Sequence, residues 1–533
     1  MKQAHLTMGE AVLVDIGPAS ERRWGYYQFP SIWRLPDGAI AVAYQLADDS
    51  ITSYGRCGRG IFFSTDEGKT WQRYAARDAR KQEEDSLASG LLLPNGDRIR
   101  ISDAVARPIS ELDLPRPIAT CFTSYDGVRG PSPCYRLHEL PPEWRGFRLD
   151  RLARGQTKWT TELGYIDDPQ DVRFPVQDLL HITFFGRLRV APDGSILAGV
   201  YPHNYIREDG SIDFKCASVF YRSTDDGRTW KVQGRIPYQP DRKIDPVGEL
   251  RGGFTEPDYE ILADGSLYCV LRTTDGTGIG PLYASRSSDL GKTWTKPEVI
   301  APNGVLPQLL RLANGALVLV SGRPGVQVRV SPDGRGETWT PPCDLVPVTS
   351  NNEAADSCGY AGLLATGPDR CLVAYSHFRH RDEQGQEHKA ILVREIRVEI
   401  VEKAEETGRS PMPETVSLAR VEKHYYDREG GRISQEIPFV AGKVHGVVRT
   451  YYLEGTIACE TPFVRGVVQG VQKWYYRNGR LKSELTWAAD QKGVEHLHGV
   501  HREYNEHGFV TLDEYYWWWA PCTKAEWEAR SKG

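Results

Sequence analysis

The sequence lacks the features that would place this protein in several common classes. Its 533 residues contain no apolar run of membrane-spanning length, and the first residues show no basic segment followed by an apolar one. The 66 Lys and Arg residues are interspersed with 71 Asp and Glu residues, so no basic patch indicates nucleic-acid binding. We therefore expect a soluble, cytoplasmic protein that binds neither a membrane nor a nucleic acid.

Cysteine pairs and the common catalytic motifs are also missing. The ten cysteines are scattered, without a C-x-x-C pair or a Cys/His cluster of zinc spacing. We expect reduced, buried thiols. The chain has no H-E-x-x-H, P-loop, dinucleotide-binding or nucleophile-elbow motif. We therefore expect no metal and no cofactor.

What the sequence does contain is a sharp repeat of the form S-x-D-x-G-x-T-W. Ser and Asp can hydrogen-bond backbone groups across a tight turn, Gly supplies a positive φ, and Thr-Trp starts a strand with an apolar anchor. The pattern therefore predicts a hairpin clip with a structural carboxylate. Its copies are Ser64–Trp71, Ser223–Trp230, Ser287–Trp294, Ser331–Trp339 with one inserted residue, and a degenerate copy at Ser124–Gly127.

A second repeat consists of two apolar strands that flank a Gly-containing turn. Asp-Gly and Asn-Gly between β-type runs are strong hairpin signals. We expect this turn to join two inner strands and the clip to join the two outer strands. We also expect the runs 11–17 and 390–402 to pair with each other. The six hairpins are 31–44, 90–102, 187–201, 259–272, 308–322 and 362–376.

The clips resemble the Asp-box (BNR) repeats of the sialidase superfamily, which are carried on six-bladed β-propellers. The resemblance implies an all-β fold, with residues 1–402 forming such a propeller. The doubled spacing over 103–186 predicts an insertion that projects from one face.

A different repeat follows a charged, Pro-containing linker at 403–420. Over 421–520, units of about 24 to 29 residues carry an aromatic pair, a Gly turn, a Glu and a further aromatic residue. These units resemble MORN-type hairpin repeats of YwqK-like proteins. They predict stacked hairpins that contact a protein partner or mediate self-association, followed by a tail at 521–533.

The segment from Thr255 to Arg272 is the sharpest candidate for chemistry. A Glu at the start of an inner strand and an Arg on its neighbour can face the same central basin, although an ordinary ion pair gives the same pattern. The segment is similar to the sialidase stretch in which, by that match, Glu256 is a base and Arg272 binds the substrate carboxylate. Tyr360 lies where the family places its nucleophilic tyrosine. A tyrosine nucleophile avoids charge repulsion with an acidic sugar but needs a base.

Further residues complete the site that the resemblance implies. Arg323 is preferred over Arg329 as the second carboxylate-binding residue, because it directly follows an inner strand. Asp49, ahead of Asp48, is the candidate general acid in the loop after the first hairpin. His203 is a candidate pocket-lining residue, although such a histidine can equally be a packing residue.

The sequence departs from the family at the first arginine of the carboxylate-binding triad. The family has (F/Y)-R-I-P there, whereas this chain has Tyr-Gln-Phe-Pro, so Gln28 replaces a cation. A lost charge-assisted hydrogen bond costs about 1.5–3 kcal/mol, so either another cation substitutes or the substrate is unusual. The nearby arginines are Arg22, Arg23, Arg56 and Arg59.

The expected activity is retaining hydrolysis of a terminal α-linked sialic acid or related acidic sugar. Two alternatives remain open on the sequence. The propeller can act on a different acidic or neutral glycan by hydrolysis or β-elimination, or it can be a non-catalytic module that binds glycans or proteins.

Overall fold

The computed structural model divides into two compact units. Unit 1 comprises Met1–Gln239 and Leu250–Glu405, and unit 2 comprises Pro240–Glu249 and Glu406–Gly533. The degenerate clip at 124–127, Arg56 and residues 403–418 of the expected linker lie outside the described residues. The structure describes residues 2–35, 37–50, 58–74, 90–102, 106–122, 131–176, 178–181, 184–245, 247–273, 279–349, 354–402, 419–426, 431–440, 443–464, 466–489, 495–517 and 520–531.

Unit 1 consists almost entirely of strands. Short 3-10 helices occur at Ile109–Glu111, Leu137–Glu139 and Pro142–Trp144, and another, Gly248–Leu250, spans the sequence boundary between the two units. The strands are β1 (Lys2–Ile16), β2 (Tyr26–Arg34), β3 (Ile40–Leu46), β4 (Arg59–Ser64), β5 (Gln72–Arg73), β6 (Leu91–Leu92), β7 (Arg98–Ile101), β8 (Ala106–Pro108), β9 (Ala119–Phe122), β10 (Pro131–Arg136), β11 (Gly146–Leu152), β12 (Thr160–Asp167), β13 (Asp171–Arg173), β14 (Leu179–His181), β15 (Phe185–Val190), β16 (Ile196–Ile206), β17 (Ile212–Ser223), β18 (Thr229–Ile236), β19 (Phe254–Ile261), β20 (Leu267–Thr273), β21 (Leu282–Ser287), β22 (Glu298–Ala301), β23 (Val305–Arg311), β24 (Leu317–Gly322), β25 (Val326–Ser331), β26 (Cys343–Val346), β27 (Ala361–Ala365), β28 (Arg370–Arg381) and β29 (Glu387–Glu402).

Three groups of four consecutive antiparallel strands have the predicted hairpin order: β2–β5, β19–β22 and β23–β26. In each group the Gly turn joins the first two strands and the clip joins the last two. Between β19 and β20, for example, Asp264 Oδ1 accepts a hydrogen bond from Ser266 N at 3.0 Å, and Gly265 has a φ of +81°. Few residues other than glycine adopt this backbone conformation, which explains why each of these turns carries a glycine that is recognisable in the sequence.

The clips have the hydrogen bonds that their sequence predicts. Asp225 Oδ1 accepts from the Ser223 hydroxyl at 2.7 Å and from Thr229 N at 2.8 Å. Gly227 N donates to Ser223 Oγ at 2.9 Å, and the fully buried Trp230 donates its indole N–H to the Gly227 carbonyl at 2.7 Å. The clip carboxylate is therefore structural, as predicted. Equivalent bonds form at Asp66, Asp289 and Asp333.

The interval 103–186, predicted as an insertion, instead supplies two strands of the second group. Strand β11 pairs with β7 and β12 pairs with β11, giving the order β6-β7-β11-β12. Strand β12 also pairs in parallel with β18, so this group joins β15–β18 in one larger sheet. No intact clip joins the two outer strands of this group, β11 and β12, so they were not predicted from the sequence. Strands β8, β9, β10, β13 and β14 are the true additions.

The first and last strands of unit 1 pair as predicted. Strand β1 runs antiparallel to β29, with Leu13 opposite Leu392, and the sheet continues through β28 to β27. The first strands of successive groups contact one another in the sequence β6, β15, β19, β23, β27, β2. Apolar residues fill the spaces between neighbouring sheets: Ile40 and Val42, for example, share a buried cluster with Leu372 and Ala374. Glu256, in the first half of β19, bonds to Leu306 on β23 and to Tyr360 just before β27, and the candidate site forms there.

Unit 2 is one long antiparallel sheet that ends in a short helix. No helix in the described part of the chain is long and apolar enough to cross a membrane. The strands are β30 (Ala419–Tyr425), β31 (Ile433–Val440), β32 (Lys443–Val444), β33 (Gly446–Tyr451), β34 (Ile457–Val464), β35 (Val467–Val468), β36 (Gly470–Tyr475), β37 (Leu481–Ala489), β38 (Glu495–Tyr504), β39 (Val510–Trp517) and β40 (Ala520–Cys522), and the helix is α1 (Lys524–Ser531).

The aromatic pair of each repeat bonds to the repeats on either side. Tyr475 donates its hydroxyl proton to Glu460 at 2.9 Å, and Tyr476 donates to the Tyr504 carbonyl at 2.8 Å. The preceding repeat makes the same pair of bonds, with Tyr451 donating to Glu436 and Tyr452 to the Tyr475 carbonyl. Each hairpin thus satisfies its polar groups on its neighbour, so a single repeat is not an independent folding unit.

The residues predicted as a tail, 521–533, include an ordered helix. Thr523 and Glu526 form a reciprocal cap: Thr523 N donates to Glu526 Oε2 at 2.8 Å, and Glu526 N donates to Thr523 Oγ1 at 3.2 Å. The T-x-x-E sequence at this point is the signal that could have predicted the helix.

Candidate active site

Three first strands begin with the same backbone irregularity, a residue with positive φ directly before a proline. The residues are Phe29 (+54°), Glu256 (+46°) and Leu306 (+36°), and pairing with the second strand shifts register at each. Such bulges bend a strand and re-aim its side chains. The Leu306 N–H, on β23, donates to Glu256 Oε2, on β19, at 2.7 Å, which links two of these bulges.

The structure brings Glu256, Arg272 and Tyr360 into direct contact. Arg272, near the end of β20, donates from one terminal nitrogen to Glu256 Oε1 at 2.7 Å and to the Tyr360 hydroxyl at 3.4 Å. The Tyr360 hydroxyl itself donates a short hydrogen bond to Glu256 Oε1. Glu256 is 5% exposed, and Tyr360 is half-buried immediately before β27. The Tyr360 phenol is thus in direct contact with the Glu256 carboxylate and the Arg272 guanidinium, which come from a separate part of the chain.

Burial and the neighbouring Glu256 carboxylate raise the pKa of Tyr360 well above its usual value, while Arg272 and Arg323 act in the opposite direction. The phenol is therefore protonated at neutral pH, and its proton already lies on a hydrogen bond to a carboxylate. This is the arrangement in which a tyrosine can become a nucleophile only as its proton moves to the base.

Arg323 lies beside this cluster with the free end of its guanidinium available. Its Cζ is 5.5 Å from the centre of the Tyr360 ring, and its Nε donates to the Cys358 carbonyl at 2.8 Å. No hydrogen bond or ion pair engages its two terminal nitrogens within the described part of the chain. Arg329, the alternative not preferred, is a buried residue of β25 that donates to Gln327 at 3.3 Å.

Gln28 is fully buried in β2, and neither polar atom of its amide has a hydrogen-bond partner among the described residues. A buried, unsatisfied amide costs about 1–3 kcal/mol, so it is an unusual feature for a native structure. The adjacent residue, Phe29, packs edge-on against the Tyr360 ring with centroids 4.9 Å apart. Gln28 therefore lies on the strand whose Phe29 packs against Tyr360, the candidate nucleophile.

None of the described arginines near Gln28 contacts the Tyr360 cluster through a hydrogen bond or ion pair that the structure shows. Arg22 donates to the Glu21 carbonyl, and Arg23 pairs with the Glu21 side chain and covers the Tyr26 ring. Arg59 is exposed in β4.

The two candidate acids are both exposed but differ in their contacts. Asp49 Oδ2 accepts a hydrogen bond from the indole N–H of Trp24 at 2.9 Å. Trp24 in turn lies under Arg323, with 5.1 Å from the Arg323 Cζ to its ring centre. Asp48 has an exposed side chain, and its carbonyl accepts from Gln45 at 3.3 Å. Of the two, Asp49 is thus the one connected to the cluster.

The structure places His203 in a different buried group. Arg235 Nε donates to His203 Nε2 at 3.0 Å, and the two terminal contacts of Arg235 to Asp168 are both 2.8 Å. Burial, reinforced by Arg235 and Arg173, lowers the pKa of His203 well below its usual value. The histidine is therefore neutral, with its proton on Nδ1.

Asp168, Asp171 and His203 bring three potential metal ligands within 4.8 Å of one another. However, Arg173 and Arg235 already pair with the two carboxylates at 2.7 and 2.8 Å. The charges are thus balanced without a cation, and we interpret the group as an ion network. An open cleft of about 460 Å³ lies beside it, lined by Gln170, Tyr205, Arg207, Glu208, Asp209 and Arg235.

Residues 167–369 match a family model described as a BNR repeat-like domain, and residues 468–489 match a MORN repeat variant. The two matches agree with the two repeat types that the sequence contains. Together they cover less than half of the chain. Among curated proteins, no match is found.

Solved structures with a similar fold include proteins of known and unknown activity. A protein of unknown function from Dyadobacter fermentans DSM 18053 is 19% identical over 74% of this chain and 99% of its own, with a TM-score of 0.48. The α-L-arabinanase of Penicillium chrysogenum in complex with arabinobiose is 15% identical, covering 73% and 98%, with a TM-score of 0.40. The Trypanosoma rangeli sialidase is 14% identical, covering 73% and 59%, with a TM-score of 0.37. These likenesses concern the fold alone and carry no conclusion about activity.

Proposed function

We propose that unit 1 is a six-bladed β-propeller that acts as an exo-glycosidase of the sialidase type. The proposed reaction is retaining hydrolysis of a terminal α-linked sialic acid or a related acidic sugar. The observation that carries the proposal is the direct contact among Tyr360, Glu256 and Arg272. The successive contacts of the six first strands support the blade count.

In the first step, the Tyr360 oxygen attacks the anomeric carbon while its proton passes to Glu256. Arg272 contacts both Glu256 Oε1 and the Tyr360 hydroxyl oxygen. It therefore stabilises negative charge whether that charge lies on the carboxylate or on the developing phenolate. Asp49 gives a proton to the departing glycosidic oxygen. In the second step, Asp49 takes a proton from water, and the water oxygen displaces Tyr360, which recovers its proton from Glu256.

The charge of the cluster favours an acidic sugar. Glu256 contributes one negative charge, and Arg272 and Arg323 contribute two positive charges. These three side chains therefore carry one net positive charge. Arg272 is already paired, whereas the free terminal nitrogens of Arg323 form a planar fork that suits a carboxylate. We therefore assign substrate-carboxylate binding first to Arg323, with Arg272 as the second contact.

Turnover of a synthetic aryl α-sialoside tests this proposal. Tyr360→Phe should abolish turnover, because the ring and its packing against Phe29 remain while the nucleophile is lost. Tyr268→Phe is the matched control: Tyr268 is a buried tyrosine on β20 whose hydroxyl has no partner among the described residues. Full activity in Tyr360→Phe would reject the mechanism. Glycan binding without turnover, unchanged by Tyr360→Phe, would instead favour a non-catalytic module.

A second candidate activity is favoured by one observation, the neutral Gln28 at the expected position of a cation. An amide suits a hydroxyl or acetamido group as well as a carboxylate, so a different acidic or neutral glycan can be the substrate. Analysis of the products separates the two chemistries. A lyase leaves an unsaturated sugar that absorbs in the near ultraviolet, whereas hydrolysis does not.

A further inference from the structure

The backbone around Trp24 is held tightly against the loop that carries Asp49. Gly25 has a φ of +93°, and a Cβ at this position would lie 2.1 Å from the Ala47 carbonyl oxygen and 2.6 Å from the Asp49 nitrogen. Only glycine permits so close an approach of two backbones. The Trp-Gly sequence is therefore fixed relative to the Asp49 loop.

A buried lysine fixes the same segment from the other side. Lys389 is 4% exposed, and its ammonium donates to the carbonyls of Arg23 and Tyr26, the latter at 3.4 Å. It also lies 4.7 Å from the centre of the Phe378 ring. These two carbonyls flank Trp24 in the chain, so an ammonium group that is costly to bury serves to position this one turn.

The Trp24 side chain links the separate parts of the proposed site. Its indole N–H donates to Asp49 Oδ2 at 2.9 Å, and its ring lies 5.1 Å from the Arg323 Cζ. It also meets the Phe29 ring edge-on at 6.2 Å, and Phe29 packs on Tyr360. Trp24 as a whole remains 36% exposed, so this residue lies at the surface of the site.

We propose that Trp24 is a positioning residue that holds Asp49 in place for proton transfer to the leaving group. The proposal rests on the function proposed above. The indole engages Oδ2 and leaves Oδ1 to carry the proton that goes to the glycosidic oxygen as the C–O bond breaks. The electron pair of that bond stays with the departing oxygen, and the negative charge that develops on Asp49 is stabilised by the indole N–H.

Leaving-group dependence tests this role. Trp24→Phe keeps an aromatic ring against Arg323 and Phe29 but removes the N–H. A leaving group that departs without protonation does not need the acid, so kcat/KM for an activated aryl sialoside, which reports only the steps up to glycosylation of Tyr360, should change less than about threefold. For a sialoside with an alkyl or sugar leaving group, kcat/KM should fall about 10- to 100-fold, which corresponds to one hydrogen bond to a charged group.

The double variant supplies a readout that a purely structural role would not change. Asp49→Asn should show the same leaving-group dependence, and the double variant should lose little more than Asp49→Asn alone.

The outcomes separate this inference from the proposed function. If the wild-type chain hydrolyses neither sialoside, the proposed function and the role of Trp24 both fail. If the wild type is active but Trp24→Phe loses equal activity on both substrates, or none on either, only the role of Trp24 is overturned. Asp49→Asn tests the acid independently should Trp24→Phe not fold.

Discussion

Replacing Glu256 by glutamine separates two effects of this carboxylate: its role as the base and its influence on the pKa of Tyr360. The amide oxygen can still accept from the Leu306 N–H, but the amide nitrogen replaces the carboxylate oxygen that faces Tyr360 and Arg272. Since the Glu256 charge raises the pKa of Tyr360, the variant should have a lower phenol pKa. Turnover should nevertheless fall about 10²- to 10⁴-fold, the usual contribution of a general base.

Two assays on the same protein test this prediction. Absorbance of tyrosinate against pH, taken as the difference between Glu256→Gln and Glu256→Gln/Tyr360→Phe, reports the phenol, and an aryl sialoside reports kcat. Glu260→Gln is the matched control, because Glu260 is also on β19, 8% exposed, and pairs with Arg189 at 2.6 Å. Both variants should lose about 1.5–3 kcal/mol of stability, but only Glu256→Gln should lose turnover. An unchanged kcat, or a Tyr360 pKa that rises, would refute the reasoning.

Three further predictions concern other parts of unit 1. Arg323→Met should raise KM for an acidic substrate about 10- to 100-fold with a smaller change in kcat, measured by initial rates; an unchanged KM would exclude it as a carboxylate contact. His203 has a lowered folded-state pKa, so the stability it contributes is present above its unfolded pKa of about 6.5 and is lost as pH falls. Between pH 6.5 and 5.5, wild type should therefore lose about 1 kcal/mol more stability than His203→Gln in denaturant titrations, and equal slopes would contradict this. Asp225→Ala should destabilise unit 1 by about 1–3 kcal/mol in thermal unfolding without changing kcat per folded molecule, because its carboxylate only bonds the clip.

The sequence predicts those parts of the fold in which local chemistry determines geometry. The clips and Gly turns determine their own backbone hydrogen bonds, so their hairpins could be predicted from the sequence. The β1–β29 pairing is a long-range exception, predicted from the two strand-like runs that bracket unit 1. Strands β11 and β12 could not be predicted, because no intact clip marks them and β12 also pairs in parallel with β18, a long-range contact without a local signal.

The candidate site shows the same division between local and long-range signals. Glu256 and Arg272 lie on one predicted hairpin, but their contact also depends on the bulge at Glu256, because Arg272 pairs with Thr255 and simple alternation would turn Glu256 to the other face. Trp24 and Lys389 were missed because the features that reveal them are spatial: a glycine against a distant backbone and an ammonium inserted between two carbonyls. A sequence signal does exist in the x-Pro steps at Phe29 and Glu256, where the strand bulges.

Covalent trapping tests the central claim most directly. A fluorinated sialic acid with a good leaving group slows the oxocarbenium-like steps and lets a glycosyl–enzyme intermediate accumulate, which mass mapping of peptides can locate. We predict that the sugar is attached to Tyr360 and that Tyr360→Phe is not labelled. Attachment to another residue, or no label on a chain that turns over the unmodified sialoside, would contradict the account.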